Sequence, residues 1–347
     1  MPAVQGRPRR AGGLPGWTRR PLVPGAVLLV AALVSVAHGQ PSPVDRALGV
    51  TIPVKTGSTT PSGIGPMTLV TGGGLVHYDR TAAKAVPVQV PPGGRVLQVQ
   101  PCYRAHAVLV RFPSGRLVGY VVPRDGGLVR LGEARAIVPD ANNLTVWLFA
   151  GGRVRQYRLD GAPTGAVIAV PRGYQPVGAV RGQVIASSAG EQAMTLVLPG
   201  AGRRRLLSRG QALDVASGVV LLRIDQRLAV LNLRTGELRM MPSLSAVQVT
   251  GPGTLAEDGA AFAVLGRVND HARLIVGPIA PDSEAELQVV ALDGGRPLPY
   301  PPAARWTDSG SVLAVRPDGQ VVYFTPGERS GAVLHLDLPA VTGVANG

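Results

Sequence analysis

The sequence predicts an all-β fold, a propeller of seven four-stranded blades, on three observations. Glycine (46) and proline (32) make up more than a fifth of the 347 residues, and both disfavour helix interiors. The apolar residues, 45% of the chain, are mostly Val, Leu and Ala in short runs between turn residues, as in many short buried strands. One unit recurs along residues 67–339: a strand, a turn with Gly or Asp, and a second strand.

The spacing of this unit sets the predicted blade count. Turns centre near residues 73, 115, 152, 190, 226, 269 and 319, an average interval of 41 residues, which is typical of a propeller blade. A strand follows each hairpin and a short one precedes the next, as at 97–100, 136–138, 247–250 and 304–308. Counts of six or eight blades stay open. The first unit lacks an inner strand, so either residues 49–54 close the ring or that blade is incomplete.

The N-terminal segment predicts export. Residues 1–20 form a basic n-region with five arginines, and residues 21–37 carry no charge, which orients an apolar helix over 21–39 with its N-terminus in the cytoplasm. We favour an uncleaved single-pass anchor in the cell membrane with the propeller extracytoplasmic. The alternative is secretion after cleavage near Gly39, because Ala37-His38-Gly39 fits a small-x-small site. Residues 40–66 read as a Pro/Ser/Gly-rich linker and residues 340–347 as a tail.

The charge balance favours anionic partners. Thirty-five bases against 21 acids give a formal net charge of +14. The densest basic cluster can clasp phosphates, anionic envelope polymers or an acidic partner, or it is simply a solvated edge in an arginine-rich composition. No aromatic residue is interleaved, so no nucleic-acid partner is predicted. The cluster comprises Arg203, Arg204, Arg205 and Arg209.

No catalytic or metal-binding motif occurs in the sequence. HExxH and GxSxG are absent, and the four histidines beyond residue 40 are far apart. Cys102 is the single cysteine and is interpreted as a small buried apolar residue. The five Asp-Gly pairs are interpreted as turns, and Trp147 and Trp306 as packing residues between blades. The sequence therefore predicts no catalytic residue, no cofactor and no metal, and it leans away from an enzyme.

Two segments carry a family resemblance. Residues 306–324 (WTDSGSVLAVRPDGQVVYF) resemble TolB-type and WD40-like propeller repeats. Residues 255–266 (LAEDGAAFAVLG) and 272–277 (ARLIVG) are similar to the propeller part of the LpqB-type envelope lipoproteins of actinobacteria, although no lipid-bearing cysteine follows the apolar run. The resemblance implies an envelope accessory protein that contacts other proteins.

The predicted function follows from these features together. We expect an exported, membrane-anchored propeller that acts as a protein-interaction or sensing module in the bacterial cell envelope. Its expected contacts are an unidentified envelope protein, the membrane through residues 21–39, and anionic envelope polymers. The alternative is an exported propeller enzyme, a lyase or hydrolase acting on a cell-wall glycan or lactone, which requires polar side chains that converge on the central channel.

Overall fold

The computed structural model describes residues 51–56, 67–72, 74–79, 84–102, 105–123, 127–140, 144–200, 205–225, 227–241, 248–268, 271–279, 287–293, 303–336 and 338–346. All of them belong to one compact unit, Pro41–Gly347. Their secondary structure consists of strands, which form seven separate sheets of four or five strands each. The predicted all-β propeller of seven blades is confirmed, with four strands in six blades and five in the seventh.

The strands follow one another in chain order, blade by blade. The first strand along the chain is β1 (Val54–Lys55), which belongs to blade seven. The first two blades use β2 (Met67–Thr71), β3 (Gly74–Asp79), β4 (Lys84–Val88), β5 (Arg95–Cys102), β6 (Ala105–Arg111), β7 (Leu117–Pro123) and β8 (Val129–Glu133). The third and fourth use β9 (Ala136–Pro139), β10 (Thr145–Ala150), β11 (Arg153–Arg158), β12 (Pro163–Ala169), β13 (Tyr174–Val180), β14 (Gln183–Ser188), β15 (Met194–Leu198) and β16 (Arg205–Arg209).

The remaining strands build blades five to seven and close the ring. They are β17 (Gln211–Ala216), β18 (Val219–Ile224), β19 (Arg227–Asn232), β20 (Leu238–Met240), β21 (Gln248–Leu255), β22 (Ala261–Val268), β23 (His271–Pro278), β24 (Gln288–Ala291), β25 (Ala304–Trp306), β26 (Val312–Val315), β27 (Val321–Phe324), β28 (Gly331–Leu334) and β29 (Val341–Asn346). In blades two to seven the first strand along the chain is innermost and the fourth lies towards the outside.

Ring closure differs from both expectations. The inner strand of blade one is β29, which pairs antiparallel with β2 from Met67↔Asn346 to Thr71↔Val341. The segment expected as a tail thus holds the closing strand. Residues 49–54 do not supply it: β1 instead pairs parallel with β28 as a fifth strand of blade seven. The pairing joins residues at least 270 positions apart, so no local sequence pattern indicates it.

The core consists of seven apolar clusters, and each fills the space between two neighbouring blades. Blades five and six share one cluster around Leu221 and Phe262, for example, and blades three and four share another around Trp147 and Val184. The second and third strands of a blade are therefore buried on both faces, as in the burial of β6 and β27. This explains why they read as continuous apolar runs rather than alternating ones. Trp147 and Trp306 pack between blades, as expected.

The predicted membrane helix lies outside the described residues. Within the described ranges, no helix is long and apolar enough to cross a membrane.

Candidate functional site

The two faces of the disc carry different connections. Strands alternate in direction within each blade, so the turn between the second and third strands lies on the same face as the connection to the next blade. We call this the arginine face. The opposite face carries the turns between the first and second and between the third and fourth strands.

Exposed bases outnumber exposed acids on the arginine face. Counting described residues in the connections of this face or in the two strand positions nearest to it, nine arginines are exposed there against four acids. The arginines are Arg95, Arg111, Arg116, Arg135, Arg153, Arg172, Arg209, Arg227 and Arg267, and the acids are Glu133, Glu191, Asp225 and Asp293.

The opposite face is nearly balanced by the same count. It exposes eight bases and seven acids among the described residues. The bases are Lys55, Lys84, Arg130, Arg158, Arg181, Arg205, Arg234 and Arg329, and the acids are Asp79, Asp160, Glu237, Glu257, Asp258, Asp308 and Glu328.

Four of the arginines occupy equivalent places in consecutive blades. Arg95 begins β5, and Arg135, Arg172 and Arg209 come one or two residues before β9, β13 and β17. They are 40, 37 and 37 residues apart. These positions lead into the innermost strands of blades two to five, and Arg209 is at the same time the last residue of β16. The four arginines therefore follow one another around the arginine face. We call them the rim row. In the described part of the chain, Arg135, Arg172 and Arg209 form no ion pair.

The structure separates the cluster that the sequence singled out. Arg203 and Arg204 lie outside the described residues. Arg205 and Arg209 stand at opposite ends of β16, and a bulge between them pairs Arg205 with Val197 but Arg209 with Met194. Because Val197 and Met194 are three residues apart on β15, the side chains of Arg205 and Arg209 lie on opposite sides of the blade's sheet. Because they also stand at opposite ends of β16, they belong to different faces of the disc, and only Arg209 belongs to the arginine face.

An apolar platform borders the rim row at blade two. The guanidinium of Arg116 stacks over the ring of Phe112, 5.3 Å from its centroid, and ion-pairs with Glu133 at 3.7 Å. Pro92 and Pro113 are exposed beside it, and a Cβ placed on Gly93 would lie 3.5 Å from the Pro113 ring. An aromatic ring, prolines and arginine together are typical of protein interfaces.

The innermost strand of blade five, β17, carries one notable carboxylate, Asp214. Its oxygens accept hydrogen bonds from the backbone N–H of Leu255 (2.8 Å) and of Val215 (2.9 Å). Burial raises the pKa of Asp214, while the positive charge of Arg305 and these hydrogen bonds oppose the rise. The first of them links blade five to blade six. Apart from Asp214, the described innermost strands hold no acid and no histidine.

The structure brings together histidines that are distant in sequence. Thr68 Oγ1 lies 3.3 Å from His77 Nδ1 and 3.1 Å from His106 Nδ1, in the interface between blades one and two. His271 lies near the rim of blade six, with Nδ1 3.1 Å from Asp293 Oδ1. No group of three or more His, Cys, Asp or Glu suited to a metal occurs in the described ranges.

Aspartates act as turn residues in three of the five Asp-Gly pairs. The carboxylates of Asp160, Asp258 and Asp318 each accept the backbone N–H two residues ahead, at 2.8 to 3.1 Å. The glycines that follow have φ of +87°, +73° and +83°, conformations that favour glycine. This geometry agrees with their interpretation as turns.

Comparison with known proteins supports the fold alone. No protein-family model and no curated protein matches the chain. A protein of Lactobacillus plantarum is 13% identical, with a TM-score of 0.51 over 81% of this chain and 98% of its own. An acylaminoacyl peptidase in complex with Z-Gly-Gly-Phe-chloromethyl ketone is 10% identical, with a TM-score of 0.54 over 75% of this chain and 47% of its own. TolB from Acinetobacter baumannii is 14% identical, with a TM-score of 0.44 over 66% and 67%.

The propeller fold that the resemblance to TolB-type and WD40-like repeats implies is confirmed by the seven sheets. The finer likeness to LpqB-type lipoproteins stays a prediction. Sequence reasoning missed the arginine face because its residues are scattered from 95 to 267. The sequence does carry one signal of this face: an arginine recurs at or just before the start of successive inner strands.

Proposed function

We propose that this protein is a binding module of the bacterial cell envelope: an exported propeller, anchored by residues 21–39, that contacts another protein through its arginine face. The observation that carries the proposal is the charge imbalance between the two faces: nine exposed bases against four acids on the arginine face, and eight against seven on the opposite face. Seven blades joined by apolar clusters hold the connections of that face in fixed positions, as a contact surface requires.

Site-specific photo-crosslinking in cells tests the contact. A photoreactive residue replaces Ser114, an exposed turn residue of the arginine face, or Thr235, an exposed turn residue of the opposite face. We expect one protein to be captured reproducibly from position 114 and not from 235. Capture from 235 alone would move the contact to the other face, and capture from neither would contradict the binding module.

Labelling of intact cells tests the export. The Cys102→Ser, Ser114→Cys chain should react with a membrane-impermeant maleimide before lysis if the propeller is extracytoplasmic. Reaction only after lysis would contradict export. The mass of the mature chain then separates the two proposed locations: an intact N-terminus indicates the anchor, whereas loss of residues 1–39 indicates secretion.

A further inference from the structure

The rim row and the platform at blade two indicate the chemistry of the ligand that binds to the arginine face. We propose that the arginine face binds an extended acidic polypeptide segment, which follows the rim row across blades two to five and packs an apolar side chain against Phe112. This inference rests on the proposed function and specifies the chemistry of the partner.

The regular spacing of the rim row argues for an extended ligand. Equivalent positions in consecutive blades set the arginines along an arc on the arginine face, and a carboxylate can accept two parallel hydrogen bonds from each guanidinium. A small anion would need several guanidiniums to converge on one point, whereas an arc presents them in sequence. The ligand is therefore a chain with repeated negative charge.

Two observations favour a polypeptide over a uniform polyanion. Glu191 and Asp225 are exposed on the same face as the rim row, where they repel a ligand that is negative along its whole length. A polypeptide can present neutral or basic residues at those points. Phe112, with its stacked Arg116, offers an apolar contact that a polyphosphate cannot use.

The opposite face supplies a matched control. Arg135, Arg172 and Arg209 are exposed on the arginine face, and Arg205, Arg234 and Arg329 on the opposite face. Changing each set to glutamate alters the net charge equally. The five arginines of residues 1–20 remain in both variants, so their own attraction for polyanions contributes equally.

The experiment measures binding of the full chain, in neutral detergent, to a random Glu/Tyr copolymer and to inorganic polyphosphate at several salt concentrations. We expect the R135E/R172E/R209E variant to bind the copolymer at least about tenfold more weakly, and R205E/R234E/R329E to bind within about twofold of the wild type. Phe112→Ala should weaken binding of the copolymer and leave that of polyphosphate unchanged. Circular dichroism and thermal unfolding verify that each variant is folded.

Three results would overturn the inference: equal loss in both triple variants, no binding of the copolymer, or tighter binding of polyphosphate with no effect of Phe112→Ala. The last would assign the face to a uniform polyanion. None of these results bears on whether photo-crosslinking captures a protein partner, so failure of the inference and failure of the proposed function are distinguishable.

Discussion

Burial controls the chemistry of Cys102, the single cysteine at the end of β5. Desolvation raises the pKa of its thiol to about 12, although a backbone hydrogen bond with Ala107 acts in the opposite direction. The thiolate is the reactive form, and at pH 8 a pKa of 12 leaves about one thiolate in ten thousand thiols. The side chain packs against the cluster between blades two and three but is only partly buried, so the sequence interpretation of a small buried apolar residue holds in part.

We therefore predict that Cys102 reacts with a disulfide reagent at pH 8 at least about a hundredfold more slowly in the native protein than in urea. Absorbance of the released thiol measures the rate. The Cys102→Ser, Ser114→Cys chain, with its thiol in an exposed turn, should react at similar rates in both states. Equal native and unfolded rates for Cys102 would contradict the prediction.

The contribution of Asp214 to the free energy of unfolding decreases as pH rises, whereas that of an aspartate in an exposed ion pair increases. The native pKa of Asp214 is raised above the ordinary value of 3.8, so the native state holds the proton more tightly than the unfolded state. The contribution of Asp214 to the free energy of unfolding is then fully present below about pH 3.8 and declines as pH rises through the native pKa.

In the Asp214→Asn variant this decline is absent. We expect the free energy of unfolding of the wild type minus that of the variant to fall as pH rises from 3.5 to 7. The backbone hydrogen bond that asparagine cannot accept adds a nearly constant offset, so the slope is the diagnostic quantity. Urea unfolding at each pH measures it, and a slope of zero or of opposite sign would show that the native pKa is not raised.

At the scale of elements, neighbouring innermost strands approach so closely that glycine is needed between them. A Cβ on Gly178 of β13 would lie 2.9 Å from Cβ and 3.0 Å from Cγ2 of Val215 on β17. Val215 is β-branched, and its Cβ cannot move away without shifting the backbone. β13 also bulges between Pro176 and Gly178, and β17 between Ala212 and Asp214.

Gly178→Ala should lower the free energy of unfolding by about 1 to 3 kcal/mol through overpacking. Gly127→Ala is the matched control, because a Cβ there would meet no heavy atom within 4 Å, and it should change stability by less than about 0.5 kcal/mol. Urea denaturation of both variants measures the difference. Equal losses of stability in the two variants would mean that blades four and five shift to accommodate the added methyl group at no cost.

At the scale of the whole molecule, β29 joins the two ends of the ring. Val344, at the middle of β29, is 1% exposed and belongs to the cluster shared by blades seven and one. If this strand is lost, blade one loses its inner strand and both neighbouring clusters gain solvent. Stability of the disc therefore depends on a strand that follows the last hairpin.

Val344→Asp should cost more than about 4 kcal/mol, because it buries an unpaired carboxylate and removes core packing. The same change at Val54 on β1, which is only partly buried at the outer edge of blade seven, should cost about 1 kcal/mol. Thermal unfolding and limited proteolysis compare the two. Equal sensitivity would contradict the closing role of β29.

Local chemistry determined the repeating part of this protein. Alternation of apolar strands with Gly and Asp turns, and a period near 41 residues, predicted seven blades of four strands and placed the inner strands at 97–100, 136–138, 247–250 and 304–308, inside or overlapping β5, β9, β21 and β25. These features depend on neighbours in sequence: a turn residue adopts its φ, and an apolar run is buried by the strands beside it.

Tertiary structure decided everything that depends on residues from distant blades. It assigned β29 to blade one. It placed Arg205 and Arg209 at opposite ends of β16, with a bulge between them. It also brought nine exposed arginines from residues 95 to 267 to one face. The physical reason is that strand direction and ring closure determine which connections share a face. A cluster of charges that is contiguous in sequence is therefore divided between the two faces, whereas residues that recur at the same position of successive repeats lie on the same face.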